Sequence, residues 1–358
     1  MEKLRKHAEE LFAHEIDELK KQDKFKRPVN WEMSPKAVLT YMMGGKLKNG
    51  FEVTPKYIGN KRLMEIAIAT LVTDRALLLY GVPGTGKSWV SEHLSASISN
   101  NSALLVQGTA GTSEESIRYG WNYAELLAKG PSTSALVETP VARAMKTGKI
   151  VRVEELTRIP SEVQDTLITV LSEKSMPIPE LNIELQATQG FNMIATANNK
   201  DKGVNELSGA LKRRFNTVIL PLPSSAKIEL EIVNSRVRKM AESLDLGIED
   251  ESFKQISKLV NIFRELRLGE TTDGKKKLKS PTGTLSTAEI ISVANQGLSM
   301  ATHFGDGELT PEDLAGGLMG AIIKDPVQDT IVFKEYMESV MKKRKEYRDI
   351  YFACRELV

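Results

Sequence analysis

Eight residues, Gly81-Val82-Pro83-Gly84-Thr85-Gly86-Lys87-Ser88, constrain this chain more than any other stretch. They fit G-x-x-x-x-G-K-[ST], and a chance match in a chain of this length is expected about once in a hundred sequences. The flanks fit as well: Ala76-Leu77-Leu78-Leu79-Tyr80 reads as a buried strand and Trp89 to Ile98 as a helix. Glycines let successive backbone N–H groups turn towards phosphate oxygens, with the positive end of the following helix behind them. The pattern places Lys87 on the β- and γ-phosphates and the Ser88 hydroxyl on Mg²⁺, and so predicts binding of a nucleoside triphosphate together with Mg²⁺.

The rest of the composition narrows the setting. A chain of 358 residues has room for two or three domains. The net charge of +2 gives no global pull towards nucleic acid or a membrane surface. A single cysteine, Cys354, excludes an internal disulfide and fits a reducing compartment. The four histidines (His7, His14, His93, His303) have no metal-ligand spacing. No apolar run approaches a membrane span and no signal-peptide pattern opens the chain, so a cytoplasmic protein is expected.

Apolar residues at Leu4, Ala8, Leu11, Phe12, Ile16 and Leu19 predict one amphipathic helix over 2–21. Ser34-Pro35 reads as a helix start and Gly44-Gly45 as its end, and a further helix runs from Asn60 to Thr73. Strands are expected at Ala103–Val106, Ile150–Val153, Phe191–Thr196 and Val218–Leu220, with a helix opening at Thr139-Pro140 and stopped by Gly148. Gly108–Pro131 reads as short surface helices. This alternation predicts an α/β fold: a five-stranded parallel sheet with helices on both faces. After Pro221-Leu222-Pro223 the pattern turns all-helical: Ala226–Leu244, Glu251–Leu266, Thr287–Ala301, Pro311–Ile323 and Val332–Leu357. Lys275-Lys276-Lys277-Leu278-Lys279 reads as a solvated loop.

The strand Ile150-Val151-Arg152-Val153 runs into Glu154-Glu155 at the sheet edge where ligands of open α/β sheets sit. Because side chains alternate, one acid can face Mg²⁺ and its neighbour the attacking water. Asn198 at the end of another strand can bind that water or the γ-phosphate, or serve as a turn residue. Arg213 and Arg214, just before the last strand, can pair at home or project into a neighbouring subunit to meet transition-state charge.

Gly81–Ser88, Val-Glu-Glu-Leu-Thr-Arg (153–158), Phe-Asn-Met-Ile-Ala-Thr-Ala-Asn (191–198) and Leu-Ser-Gly-Ala-Leu-Lys-Arg-Arg-Phe (207–215) together resemble the MoxR and dynein-related branch of AAA+ ATPases. The resemblance covers 54–223 and continues more weakly through a helical lid. Residues 1–45 fall outside it and stand as an N-terminal helical extension, while the resemblance implies a nucleotide-binding core over 46–223 and a lid with C-terminal helices over 224–358. It also implies ATP as the nucleotide, with Mg²⁺, a hexameric ring with active sites between subunits, a protein client, and a partner carrying a von Willebrand factor A domain. Carried over, Lys87 and Ser88 take the Walker A places, Glu154 the metal-side and Glu155 the water-activating Walker B places, and Asn198 sensor 1. Arg214 takes the arginine finger, with Arg213 second. The nucleotide-binding set extends to Trp89, Tyr57 and Ile58. Gly108–Pro131 resembles the helix-2 insert, Met176–Gln189 the hairpin before sensor 1, and Arg158 an intersubunit position. Two departures stand out: glutamate replaces the usual Walker B aspartate, setting the acid further forward, and Leu285-Ser286-Thr287 stands where sensor 2 usually has arginine.

The expectation is therefore a mechanochemical ATPase. A nucleic-acid motor is the competing reading, opposed by the near-zero charge and by Glu180 and Glu184 in the hairpin. A nucleotide-gated scaffold with little turnover is the third, prompted by Glu154. Asn199-Lys200-Asp201-Lys202 matches a guanine-specificity motif only superficially, with Lys where Asp is required.

Overall fold

The computed structural model describes residues 5–198 and 205–357. The chain divides into two compact units, Met1–Gly81 with Gly86–Leu220, and Val82–Thr85 with Pro221–Val358. Five parallel strands form the sheet of the first unit: β1 (Ala76–Gly81), β2 (Leu105–Gln107), β3 (Ile150–Glu154), β4 (Asn192–Asn198) and β5 (Phe215–Ile219). Their spatial order is β5-β1-β4-β3-β2. All residues of β3 and β4 are buried, which is why both read as nearly unbroken apolar runs. β4 lies between β1 and β3, pairing Asn198 with Gly81 and Ala195 with Val153. The phosphate-loop strand, the acidic strand and the Asn198 strand therefore finish along one sheet edge.

Helix boundaries follow their local chemistry. Ser34 accepts from the Ala37 N–H and Thr139 from the Ala142 N–H, each with proline next in the chain, opening the helices Pro35–Met43 and Pro140–Thr147. The helix Lys61–Val72 is capped by Asn60.

The first expected helix is two, Ala8–Leu11 and Ala13–Gln22; Leu4, which opened the expected stripe, lies outside the described residues. The break falls at Phe12, whose ring sits edge-on to Tyr41, Trp89 and His93. Phe12, Ile16 and Leu19 share one buried cluster with Leu77 and Leu79 of β1 and with Val90 and Leu94 of the phosphate-loop helix. The N-terminal segment is thus part of the core of the first unit.

Gly108–Pro131 also differs from expectation. Its helices Glu114–Ile117 and Tyr123–Lys129 are joined by a strand, Tyr119–Trp121, that pairs antiparallel with Leu136–Glu138. Such a three-residue strand is too short for a period-2 pattern to mark it. A second hairpin, Ser175–Ile178 with Ile183–Gln186, occupies the place expected for the insertion ahead of β4.

The second unit packs the helices Ala226–Leu244, Asp250–Leu268, Thr287–Phe304, Pro311–Ile322, Gln328–Ser339 and Arg348–Arg355 around one core that includes Phe263, Phe333, Tyr336 and Tyr351. The expected long last helix breaks after Ser339 into short turns, with Arg344 in extended conformation. A distant partner outweighs local propensity here: Arg344 Nη1 reaches the buried Glu265 at 2.7 Å. Lys275, Lys276 and Lys277 are exposed, and Lys279 pairs with Glu335 at 2.9 Å. Asn199-Lys200-Asp201-Lys202 lies outside the described residues.

Candidate active site

The phosphate-loop helix runs from Lys87 to Ser99, with Gly86 ahead of it at φ +80°, a left-handed conformation that glycine adopts without a steric penalty. No side chain caps this helix end, and a helix N-terminus favours an anion through its amides and dipole. Lys87 is buried and its Nζ donates to the Gly81 carbonyl at 3.1 Å. The Thr85 hydroxyl donates to the Val82 carbonyl at 3.0 Å.

Glu154, at the end of β3, is buried against Ser88. Its Oε2 accepts from the Ser88 and Thr196 hydroxyls, both at 2.7 Å. Its Oε1 accepts from Arg152 at 2.9 Å and from the Ser91 hydroxyl. Burial pushes the Glu154 carboxyl up, but the Arg152 guanidinium and the Ser91, Ser88 and Thr196 hydroxyls outweigh it and hold the group below the usual carboxylate range. The extra methylene does not displace the acid from the phosphate loop, because the longer arm ends directly on Ser88. A hydroxyl beside an ionised carboxylate is a hard oxygen donor set that suits Mg²⁺, which takes one or two protein oxygens and completes its shell with phosphate and water.

Glu155 follows in a left-handed conformation, φ +56° and ψ +44°. A non-glycine residue held there costs about 1–3 kcal/mol and persists where the surroundings fix it. They do: the Glu155 N–H donates to Thr196 Oγ1 at 3.0 Å, and its carboxylate accepts from Asn198 Nδ2 at 2.8 Å and lies 3.6 Å from Arg158 Nε. The two acids diverge through this turn as well as through strand alternation. Thr196, on the strand between them and β1, touches both.

Gly108 closes the far side of the acids. Its N–H donates to the Glu154 carbonyl at 2.7 Å, and an added Cβ would stand 2.4 Å from the Glu155 carbonyl oxygen. Gly108, Thr196, Ser91 and Arg152 are the residues that motif reading missed. Only Arg152 left a signal, a charge inside an otherwise apolar strand.

The remaining expected residues are spread more widely. The Trp89 indole donates to the Lys56 carbonyl at 2.8 Å and lies 4.1 Å from the His93 ring, so it packs against the N-terminal helices. That contact seats the loop holding Tyr57 and Ile58, both half-buried, beside the first turn of the phosphate-loop helix. Arg214 is held locally, Nε on the Ser172 hydroxyl and Nη1 on the Ala210 carbonyl, both at 2.7 Å. Arg213 is exposed and makes no side-chain hydrogen bond or ion pair among the described residues. In the second unit, Ser286 caps the helix Thr287–Phe304, and the Thr287 hydroxyl donates to the buried Glu229, which also binds Arg264 and Arg267.

A phosphate loop on β1, paired acids at the end of β3 and a polar strand end between them define a P-loop protein of the AAA+ class. Residues 76–215 match the AAA domain of the dynein-related subfamily, and residues 227–352 match the YehL-like AAA+ ATPase C-terminal domain. The chain is 41% identical over 354 residues to the YehL protein of Escherichia coli K12, covering 96% of this chain and 95% of that one. It belongs to the YehL-like AAA+ ATPases. A protein of Staphylococcus aureus NCTC 8325 is 26% identical over 195 residues, 54% of this chain and 69% of that one. The crystal structure of NtrX from Brucella abortus in complex with ADP shares the fold at a TM-score of 0.50 and 14% identity. That match covers 83% of this chain and 64% of NtrX, less than two thirds of its length.

Proposed function

We propose that the chain is a ring-forming ATPase whose hydrolytic site is completed by an arginine of the adjacent subunit. The observation that carries this reading is the pair of divergent acids: Glu154 on the Ser88 hydroxyl and, one residue on, Glu155 on the Asn198 amide. Ser88 and Glu154 would hold Mg²⁺, which would supply charge neutralisation to the phosphate groups when bound. Lys87 and the N-terminal amides of the phosphate-loop helix bind and orient the triphosphate. Glu155 orients a water molecule and takes its proton as the bond to the γ-phosphorus forms and the bond to ADP breaks, and Asn198 holds the Glu155 carboxylate in place. Tyr57 and Ile58 flank the base.

Of the two arginines, Arg213 suits the role in trans better than Arg214. A residue already bonded to Ser172 and Ala210 would have to give up both contacts to reach a neighbour, whereas Arg213 is exposed. The resemblance to MoxR proteins supports a protein client and a partner with a von Willebrand factor A domain. It also supports a hexamer working in the cytoplasm. Among the described residues no helix is long and apolar enough to cross a membrane.

The test is complementation between subunits. Glu155→Gln lacks the water-activating acid but keeps the arginine, and Arg213→Ala keeps the acid but lacks the arginine. Each alone should be inactive, and their mixture should regain turnover at interfaces joining an intact acid to an intact arginine. A monomer by sedimentation that hydrolyses ATP at a rate per subunit independent of concentration overturns the shared-site reading.

A further inference from the structure

Burying a cation inside a parallel strand is unfavourable unless its donors are satisfied, and β3 does this with Arg152. Arg152 and Glu154 are two residues apart and so share a face of the strand. Every part of the guanidinium is used: Nε donates to the Ser91 hydroxyl at 3.0 Å, Nη1 to the Ser102 carbonyl at 3.0 Å, and Nη2 to the Ser88 carbonyl at 3.2 Å and Glu154 Oε1 at 2.9 Å. Ser91 in turn bonds that same Oε1. One oxygen of Glu154 is therefore tied back by Arg152 and Ser91, and the other is presented to Ser88 and Thr196.

We propose that Arg152 is a positioning residue that serves as the built-in counter-charge of Glu154, holding its carboxylate on Ser88 when no divalent cation is bound and lowering the affinity of the site for one. The proposal rests on the reading of Ser88 and Glu154 as the cation site given above. A carboxylate facing a cation alone offers its full charge, whereas one already paired with a buried guanidinium offers little net attraction. The cation then depends chiefly on the phosphates, so loading of the site is coupled to nucleotide. The arrangement also explains glutamate in this place: the longer side chain bridges Arg152 and Ser88 at once.

The experiment is Mg²⁺ titration of ADP-saturated full-length protein by calorimetry, paired with thermal unfolding in ADP with and without Mg²⁺. Wild type is compared with Arg152→Met, Arg152→Lys, Glu154→Gln and the double variant Arg152→Met/Glu154→Gln. Arg152→Met should bind Mg²⁺ at least about tenfold more tightly, and its loss in Tm should shrink when Mg²⁺ is added. Arg152→Lys, which keeps the charge, should return Mg²⁺ affinity towards wild type. The double variant, with neither charge, should be more stable than Arg152→Met in ADP alone. Unchanged Mg²⁺ affinity in Arg152→Met, with the same Tm loss in both conditions, overturns the proposal and makes Arg152 merely structural. If Arg152→Met does not fold, the double variant decides: a double variant that also fails to fold overturns the counter-charge role, and one that folds supports it. Glu154→Gln separates the two levels. If its Mg²⁺ affinity equals that of wild type, the cation site itself is misplaced, whereas weakened binding there with no gain in Arg152→Met overturns the counter-charge alone.

Discussion

The Asn198 side-chain amide donates to Glu155 Oε2 at 2.8 Å, joining the end of β4 to the left-handed turn that follows β3. The acid proposed to activate water is therefore held by the residue expected to sense the γ-phosphate. Replacing Glu155 with Gln should reduce turnover by about 10²–10⁴-fold, the usual contribution of a positioned general base, and leave ADP affinity unchanged. Asn198→Ala should reduce turnover less and act on kcat before KM. Steady-state ATPase kinetics with a fluorescent ADP titration check both.

Gly108 is a position with no room. A methyl group there would meet the carbonyl oxygens of Glu155 at 2.4 Å and Glu154 at 2.8 Å. Both contacts are with backbone, so Gly108→Ala must move the two acids or the end of β2. Turnover should fall at least about tenfold with a modest loss of stability of about 1–3 kcal/mol. ATPase rate and urea unfolding measured together distinguish this from global unfolding, which would remove nucleotide binding as well.

The N-terminal helices are fastened to the loop ahead of the helix Lys61–Val72 by a buried ion pair. Lys56 Nζ bonds Glu15 at 2.6 Å and the Thr54 carbonyl at 2.6 Å, and lies 4.2 Å from the Phe12 ring centroid and 4.6 Å from that of Tyr41. Glu15→Gln leaves the ammonium buried without its counter-ion and should cost about 3–5 kcal/mol in chemical unfolding. Glu15→Leu combined with Lys56→Met should recover most of that loss. ATP affinity should weaken in Glu15→Gln, because Tyr57 and Ile58 follow Lys56 directly.

In the second unit, Glu265 is buried and accepts from the Thr272 N–H and hydroxyl, the Tyr336 hydroxyl and Arg344, each at 2.7 Å. Burial pushes the carboxyl up, but the Thr272, Tyr336 and Arg344 contacts prevail and hold it below its ordinary value of 4.5. A depressed folded-state value means that the stabilisation is present in full above the unfolded value and is lost as pH falls through the folded one. Wild type should therefore lose stability below about pH 4.5, and Glu265→Gln should flatten that acid limb. Near neutral pH the same variant should be weaker by about 2–3 kcal/mol, as expected when a charged acceptor is removed from buried donors. Urea titrations from roughly pH 2 to 8 read both effects.

Cys354 lies in the core of the second unit, where burial pushes its thiol up to about 12. The thiolate is the reactive form, so native protein should resist disulfide reagents at pH 8 and react stoichiometrically in denaturant. Fast labelling of folded protein would show that this core opens readily.

Much of the architecture was written locally. The phosphate loop needs glycines of free conformation, a lysine, a hydroxyl and a following helix, all adjacent in the chain, so its pattern announced itself. The same holds for the apolar runs of β1, β3 and β4 and for the helix starts at Ser34 and Thr139. Each depends on neighbours within a few residues, the range over which composition and periodicity speak.

What the sequence left undecided depends on partners far apart along it. The orientation of Glu154 is set by Ser88, Ser91 and Thr196 on other elements, and the turn at Glu155 by Thr196 and Asn198 on β4. Phe12 ends a helix whose spacing continues through it, because its ring has a seat among Tyr41, Trp89 and His93. Arg344 leaves a helical pattern because Glu265 is buried and needs a cation. Local propensities differ by less than about 1 kcal/mol per residue, whereas an unpaired buried charge costs several, so where the two conflicted the tertiary partner decided the chain's path.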